Sequence, residues 1–259
     1  MISTASPIGV FGDWHGHLGW AIASIEAAAD AGVRTMLHVG DFGLDFPGRA
    51  RGRFEKRLNG CLVERDLMLI VSPGNHDNHD TIATLPVGTD GLAAWRSNIR
   101  VLPRGGRTIV EGLVVGGLGG AYSVDQHRRT EGKDWWANEE PTHAEAARLI
   151  ADGPVDILIT HDVPASVPLA SQLALPPKVV ARAEMTRKLL DDVVRLLRPP
   201  QVFAGHWHQR VIHELPGDGG GATRVDVLAN ELQNLGNGVL IWPNHELPMK
   251  VTPLRINTR

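Results

Sequence analysis

Residues 67–77 read LMLIVSPGNHD. The run LMLIV has the length and apolar character of a buried strand. It passes straight into Ser, Pro, Gly, Asn, His and Asp. Gly and Asn suit a tight turn. A turn alone does not explain why the same apolar-to-polar change recurs after other strand-like runs. It appears again in FGDWHG at 11–16, HVGDFG at 38–43, ITHD at 159–162 and AGHWH at 204–208.

Helical patterns fill the gaps between these bursts. Residues 18–31 are Ala-rich and stop at Gly32, and residues 51–65 space Phe54, Leu58 and Leu62 four apart among charges. Strands at 8–11, 35–39 and 67–71 separated by these helices predict a parallel sheet with right-handed crossovers. Downstream, 108–110 and 113–116 flank Glu111-Gly112 as a hairpin. Residues 117–141 form a long Gly-rich polar loop holding Tyr122, Arg128, Arg129, Trp135 and Trp136. Loops of this length in compact domains are often functional. A helix at 142–151 leads to a strand at 155–160. A longer helix at 178–197 shows Val179, Ala183, Leu190, Val193 and Leu197 on one face and ends at Pro199-Pro200, before a strand at 201–204. From 211 onward the tail alternates strand-like runs with turns and reads as antiparallel. No repeat and no linker beyond GDGGG at 217–221 divides the chain, so 1–259 reads as one domain.

Bulk composition narrows the class. A 42% apolar share over 259 residues supports a sizeable core. The formal net charge of −3 gives no global attraction to nucleic acid or anionic membrane. Cys61, the single cysteine, cannot pair internally; it falls in an expected helix and reads as a packed thiol. No run has the length of a membrane span and the N-terminus lacks a signal-peptide pattern, which points to a soluble cytoplasmic protein.

Each polar burst sits at the C-terminal end of an expected strand, the edge where α/β sheets bind ligands. Asp13 and His15 are two apart, as are His206 and His208, so each pair points to one side of an extended chain. Asp41, Asn75 and His161 arrive singly. Two carboxylates, four imidazoles and an amide oxygen are too many donors for one ion and suit two. If Asp41 bridges, Asp13, His15 and His208 complete one ion's ligands and Asn75, His161 and His206 the other's. Such N/O donors without thiolate fit transition metals, Mn first among them, with Fe, Zn, Ni or Co as alternatives. Two ions about 3.5–4 Å apart can clamp attacking and leaving oxygens and form a bridging hydroxide near neutral pH. His76 is left over, placed to act as general acid or to stabilise phosphoryl charge, with Asp77 holding its backbone or ring.

The ordered blocks Asp13-Trp14-His15, Gly40-Asp41, Gly74-Asn75-His76-Asp77, His161 and Gly205-His206-Trp207-His208 resemble the calcineurin-like metallophosphoesterase family. The resemblance implies a four-layer α/β/β/α sandwich with two central mixed sheets, a binuclear metal centre at the strand ends, and hydrolysis of phosphodiesters or phosphomonoesters. It implies the same division of ligands. Protein Ser/Thr phosphatases of the superfamily carry G-D-x-x-D-R-G and G-N-H-E. This chain has GDFGLDF, with Asp45 one residue late and no Arg after it, and Asp77 in place of Glu. It looks more like small bacterial or phage-type members.

Other residues have plainer readings. His17 and His38 suit packing or support roles. His79, His127, His143, His213 and His245 read as surface residues. Trp14 and Trp207 either wall the pocket and stack a base or aryl group, or pack under the metals. Arg128 and Arg129 either clamp a phosphate, which guanidinium matches bidentately, or lie in solvent. One of Trp135 and Trp136 is expected to anchor the loop. The leading expectation is a phosphoesterase acting on a small phosphoester or nucleotide, a phosphodiesterase ahead of a phosphomonoesterase. The alternatives are a nuclease, which the absence of a clustered basic patch disfavours, and a non-catalytic scaffold, which the retained ligands and His76 disfavour.

Overall fold

The strands expected from the apolar runs pair into two sheets in the computed structural model, which describes residues 6–170, 174–217, 221–243 and 249–258. In chain order the elements are β1 (Ile8–Phe11), α1 (Leu18–Asp30), β2 (Thr35–His38), α2 (Arg53–Glu64), β3 (Met68–Val71), α3 (His79–Ala83), β4 (Ala93–Ala94), β5 (Ile99–Val101), β6 (Gly106–Val110), β7 (Leu113–Leu118), α4 (His143–Ala151), β8 (Ile157–Thr160), α5 (Pro177–Leu197), β9 (Gln201–Ala204), β10 (Val211–Pro216), β11 (Ala222–Val227), β12 (Gly238–Trp242) and β13 (Lys250–Leu254). His245 and residues 218–220 of the GDGGG stretch lie outside the described residues.

The first sheet runs β13-β12-β1-β2-β3-β5-β4 and the second β10-β11-β9-β8-β7-β6. Each has a parallel centre, β1-β2-β3-β5 and β7-β8-β9-β11, with antiparallel strands outside it. The tail is therefore only partly antiparallel: β11 joins β9 in parallel register, Val225 opposite Val202.

Alternation along the strands makes four layers. Ile8, Val10, Leu37 and Val39 face Ile157, Ile159 and Phe203 between the sheets. Phe11, Met36, Leu69 and Val71 face outward onto Trp20 and Ile25 of α1 and Leu58 and Leu62 of α2. Leu158, Val202 and Val225 of the second sheet pack on Leu149 of α4 and Leu190, Val193 and Leu197 of α5. A period of two on each strand thus feeds two different cores. Cys61 is buried on α2, as its helical spacing predicts.

Local signals set the boundaries. Glu111 and Gly112 both adopt positive φ, +47° and +81°, the backbone that a two-residue hairpin turn requires. Thr142 and Glu145 form a reciprocal capping box at the start of α4. His17 caps α1, its Nδ1 accepting from the Trp20 N–H. Two expectations shift. β7 continues through Leu118 into the stretch read as loop. In α5 the buried face is its C-terminal half, with Thr186 and Leu189 added, while Val179 and Ala183 are only half-buried.

Asn237, fully buried before β12, ties the chain's end to its beginning. Its Oδ1 accepts from the indole N–H groups of Trp20 (2.8 Å) and Trp14 (3.3 Å). Its Nδ2 donates to the carbonyls of Ala229 (2.8 Å) and Asp13 (3.2 Å). Asn237→Ala strands two donors and two acceptors, so it is expected to lower unfolding free energy by roughly 2–4 kcal/mol. A urea denaturation midpoint that does not move would show that Asn237 holds nothing together.

Candidate metal centre

The parallel strands of both sheets end along one edge, and their polar continuations meet there. Asp13 and His15 follow β1, Asp41 follows β2, and Asn75 follows β3. From the second sheet come His161 after β8 and His206 and His208 after β9. Donor atoms gather in three overlapping groups: Asp13, His15 and His208; His15, Asp41 and His76; and Asp41, His161 and His206. Asp41 stands in the middle. Its Oδ2 is 3.3 Å from His15 Nε2 and its Oδ1 3.2 Å from His161 Nε2. His208 Nε2 lies 3.4 Å from Asp13 Oδ2, and Asn75 Oδ1 lies 3.1 Å from His161 Nε2.

These separations fit metal ligation. Donors held about 2.0–2.2 Å from one ion stand roughly 3.0–3.5 Å from each other. Tautomers fit as well. His161 Nδ1 is 3.0 Å from the Val39 carbonyl and His15 Nδ1 is 2.8 Å from Glu231 Oε2. Each Nδ1–H donates outward, which turns Nε2 towards Asp41, where loss of its proton would free a lone pair for an ion.

Backbone geometry brings the donors this close. His15, Asp41, His206 and His208 all sit at positive φ, between +44° and +64°. Such left-handed conformations cost on the order of 1–3 kcal/mol each and persist where surrounding structure holds them. The motif glycines leave room for carboxylates. A Cβ on Gly74 would meet Asp41 Oδ1 at 2.2 Å, and one on Gly205 would meet Asp13 Oδ1 at 2.1 Å.

The site attracts cationic charge. Burial opposes protonation of His15, but Asp41 and Glu231 outweigh it and push its pKa up to about 11. Burial also opposes charge on His161, yet Asp41 raises its pKa to about 9. Burial, together with the neighbouring His161, holds His206 neutral, as a ligand imidazole must be.

His76 shares a donor group with His15 and Asp41. Its N–H donates to Asp41 Oδ1 (2.8 Å), and its ring centre is 5.5 Å from that of His15. Burial first, then the Arg129 cation, lower its pKa. Arg129 places Nη1 and Nη2 3.0 and 2.9 Å from the two imidazole nitrogens, and Nη2 also donates to Asp125. Of the two loop arginines, Arg129 reaches the site and Arg128 is exposed to solvent.

Asp77 does not touch the His76 ring, contrary to expectation. Its buried carboxylate accepts from the N–H groups of Gly74 (2.7 Å), Leu44 (2.7 Å), Gly43 (2.8 Å) and Phe42 (3.3 Å). It pins the loop after β2 to the loop after β3. Burial and the Asp41 charge push its pKa up to about 6, against the pull of those donors.

Neither expected tryptophan forms an open wall. Trp14 is fully buried beneath the ligands, against Phe11, His38 and Phe42. Trp207 donates its indole N–H to Asp162 (2.9 Å) and has the Arg187 guanidinium over its ring. His79 is buried rather than at the surface; its Nε2 lies 2.8 Å from the Gly74 carbonyl and steadies that turn. Trp136 is the buried anchor of the 117–141 segment.

Three supporting residues escaped the sequence reading. Glu231 orients His15. Ser123 Oγ accepts from Asn75 Nδ2 (3.0 Å) and donates to Glu139 Oε2 (2.8 Å), while the Ser123 N–H donates to Glu139 Oε1 (2.7 Å). This buried chain fixes which end of the Asn75 amide faces His161. Residues 228–231, LANE, follow the parallel strand β11 just as the other bursts follow theirs, a signal hidden by reading the tail as antiparallel.

A sequence model of the family described as calcineurin-like phosphoesterase matches residues 6–210. Among solved structures, the Thermus thermophilus protein TT1561 superposes with a TM-score of 0.59 at 17% identity, covering 97% of this chain and 100% of its own. A dimetal phosphatase from Danio rerio superposes with a TM-score of 0.58 at 11% identity, covering 98% and 100%. At these identities the likeness is one of fold. No curated protein sequence matches significantly.

The support around the ligands can be tested at two positions. Ser123→Ala frees the Asn75 amide and is expected to weaken binding of one Mn²⁺ by roughly 10- to 100-fold, as loss of a ligand's partner does elsewhere; titration calorimetry on the apo protein reads this. His38, beneath the site, is buried with its Nδ1 accepting from the Gly40 N–H, and burial lowers its pKa to about 3. Because the folded pKa is depressed, its contribution to stability is complete above about 6.5 and disappears as pH falls towards about 3. His38→Gln should therefore show a smaller loss of stability between about pH 7 and pH 4 than the parent; equal losses would exclude His38 as an acid trigger.

Proposed function

We propose that this chain, which belongs to the calcineurin-like phosphoesterase family, hydrolyses small phosphoesters with two transition-metal ions, acting as a phosphodiesterase on small or nucleotide substrates ahead of a phosphomonoesterase. The observation that carries the reading is the placement of Asp41 between His15 and His161, with His76 bonded to it through its backbone. Asp13, His15 and His208 would hold one ion and Asn75, His161 and His206 the other, with Asp41 shared. Such ions, when bound, polarise a phosphoryl oxygen and lower the pKa of water, the chemistry of an in-line displacement; manganese is the first candidate, with Fe, Zn, Ni and Co compatible with the same donors.

The chain's own groups do the rest. His76 meets the phosphoryl group from the side of Arg129. Its imidazole donates a hydrogen bond to the developing charge, or passes a proton to the leaving oxygen once a bound phosphate offsets the Arg129 charge that disfavours its protonation. Arg129, tethered by Asp125, offers its guanidinium to a phosphate oxygen. A diester carries one negative charge at phosphorus, and one guanidinium beside His76 suits that charge. Asp77 acts through the loops it pins and is a positioning residue. The chain functions as one domain, since the ligands come from both sheets. Among the described residues no helix is long and apolar enough to cross a membrane, and a cytoplasmic enzyme is the accompanying reading.

Hydrolysis of bis(p-nitrophenyl) phosphate and p-nitrophenyl phosphate by apo protein reloaded with Mn²⁺ tests the proposal. His76→Asn should keep its metal content while kcat falls by about 10²- to 10⁴-fold. Asp41→Asn should lose both metal and turnover. An Asp41→Asn protein with the parent rate in metal-defined buffer would overturn the mechanism.

A further inference from the structure

A cavity of about 670 Å³ opens directly beside His15 and His76. Its other walls come from the loop after β2 and the start of α2: Phe46, Arg49, Arg51 and Phe54. A volume of this order accommodates a small organic ligand. A larger cavity, about 1040 Å³, lies between α5 and β10–β11 and holds none of the metal donors.

The chemistry of the smaller wall is specific. Phe46 follows the buried Leu44 and Asp45, yet it is 40% exposed. An aromatic ring left in water beside a reaction centre exposes apolar area that a ligand can cover. The ring is held in place from behind: the buried Trp136 meets it edge-on at 6.2 Å between centres. Phe54 lies under the same loop, tilted against Phe42 at 5.0 Å. The aromatic platform is therefore supported by core residues on two sides.

Two cations edge the platform. Arg51 donates from Nε and Nη2 to the Asp45 carboxylate, and Asp45 is in turn held by Thr81 Oγ1 (2.6 Å). That pairing fixes the Arg51 guanidinium at the rim, where its side chain is half exposed. Arg49, also at the rim, is exposed. Glu55, an acid in this wall, is buried and directed at the Asp45 N–H; Asp45 offsets Arg51, which leaves Arg49 as the excess cation on the open side.

We propose that this cavity is the specificity site for a planar ring joined to a further anionic group, as in a nucleoside diphosphate. The ring stacks on Phe46 and the additional phosphate meets Arg49 and Arg51. This inference rests on the phosphoesterase reading for the position of the phosphate nearest His76. It moves the stacking role from Trp14 and Trp207, which are committed elsewhere, to Phe46.

Competition by inorganic phosphate, AMP and ADP separates the parts, using the full-length Mn²⁺-loaded protein. Inhibition constants come from bis(p-nitrophenyl) phosphate hydrolysis and dissociation constants from calorimetry. AMP should bind about tenfold or more tightly than phosphate, and ADP more tightly than AMP. Phe46→Leu, which keeps an apolar side chain, should weaken AMP and ADP by about tenfold, within the range of one base–aromatic stack, and leave phosphate affinity and metal content unchanged. Arg49→Ser should weaken ADP several-fold more than AMP. AMP no tighter than phosphate in the parent, or equal weakening of all three ligands in Phe46→Leu with metal retained, overturns the proposal. A parent protein that binds AMP and ADP as described but hydrolyses no phosphoester counts against the catalytic reading and leaves the cavity assignment standing.

Discussion

The close approach of Gly74 to Asp41 is the constraint on which the site depends. Two loops from neighbouring strands, β2 and β3, must meet without a side chain between them, because any Cβ on Gly74 would occupy the space of the Asp41 carboxylate. Asp77 closes the same junction from the other side, with its oxygens on backbone N–H groups of both loops. His76 lies between these fixed points, so its N–H reaches Asp41 while its ring meets the Arg129 guanidinium. The glycine, the ligand, the catalytic candidate and the clamp are consecutive in sequence because one turn must satisfy all four.

Much of this arrangement is legible in the sequence. Strand β3 ends at Val71 and the polar burst begins at once, and the same grammar recurs after β1, β2, β8 and β9. That signal is strong because parallel strands place their C-terminal ends on one edge, so local patterns far apart in the chain have a common destination. The family resemblance carried the fold further than the spacing alone, since nothing in the apolar runs distinguishes one large sheet from two.

What escaped notice depends on pairing and packing. The parallel junction of β11 with β9 brings Glu231 to His15, but a six-residue strand in a turn-rich tail reads equally well as a hairpin partner. Ser123 and Glu139 stand sixteen positions apart along a polar loop whose burial has no periodicity to betray it. His79 looks like a surface residue among Asp and Asn neighbours, and only the fold of the turn before it turns the ring inward. For Trp14 the sequence admits a pocket wall and packing under the metals equally, and Phe11, His38 and Phe42 close around it to give the packed arrangement.

The donors reach the centre from both sheets: Asp13, His15, Asp41 and Asn75 from one, His161, His206 and His208 from the other. The core between those sheets is interdigitated aliphatic and aromatic packing, and the directional contacts across it gather at this edge, such as His161 Nδ1 on the Val39 carbonyl and Asn75 on Ser123. Coordinate bonds drawn from both sides of that seam would act as rivets. Ions bound there would lock the sliding register of the two halves, tying the shape of the catalytic edge to the mechanical integrity of the whole sandwich.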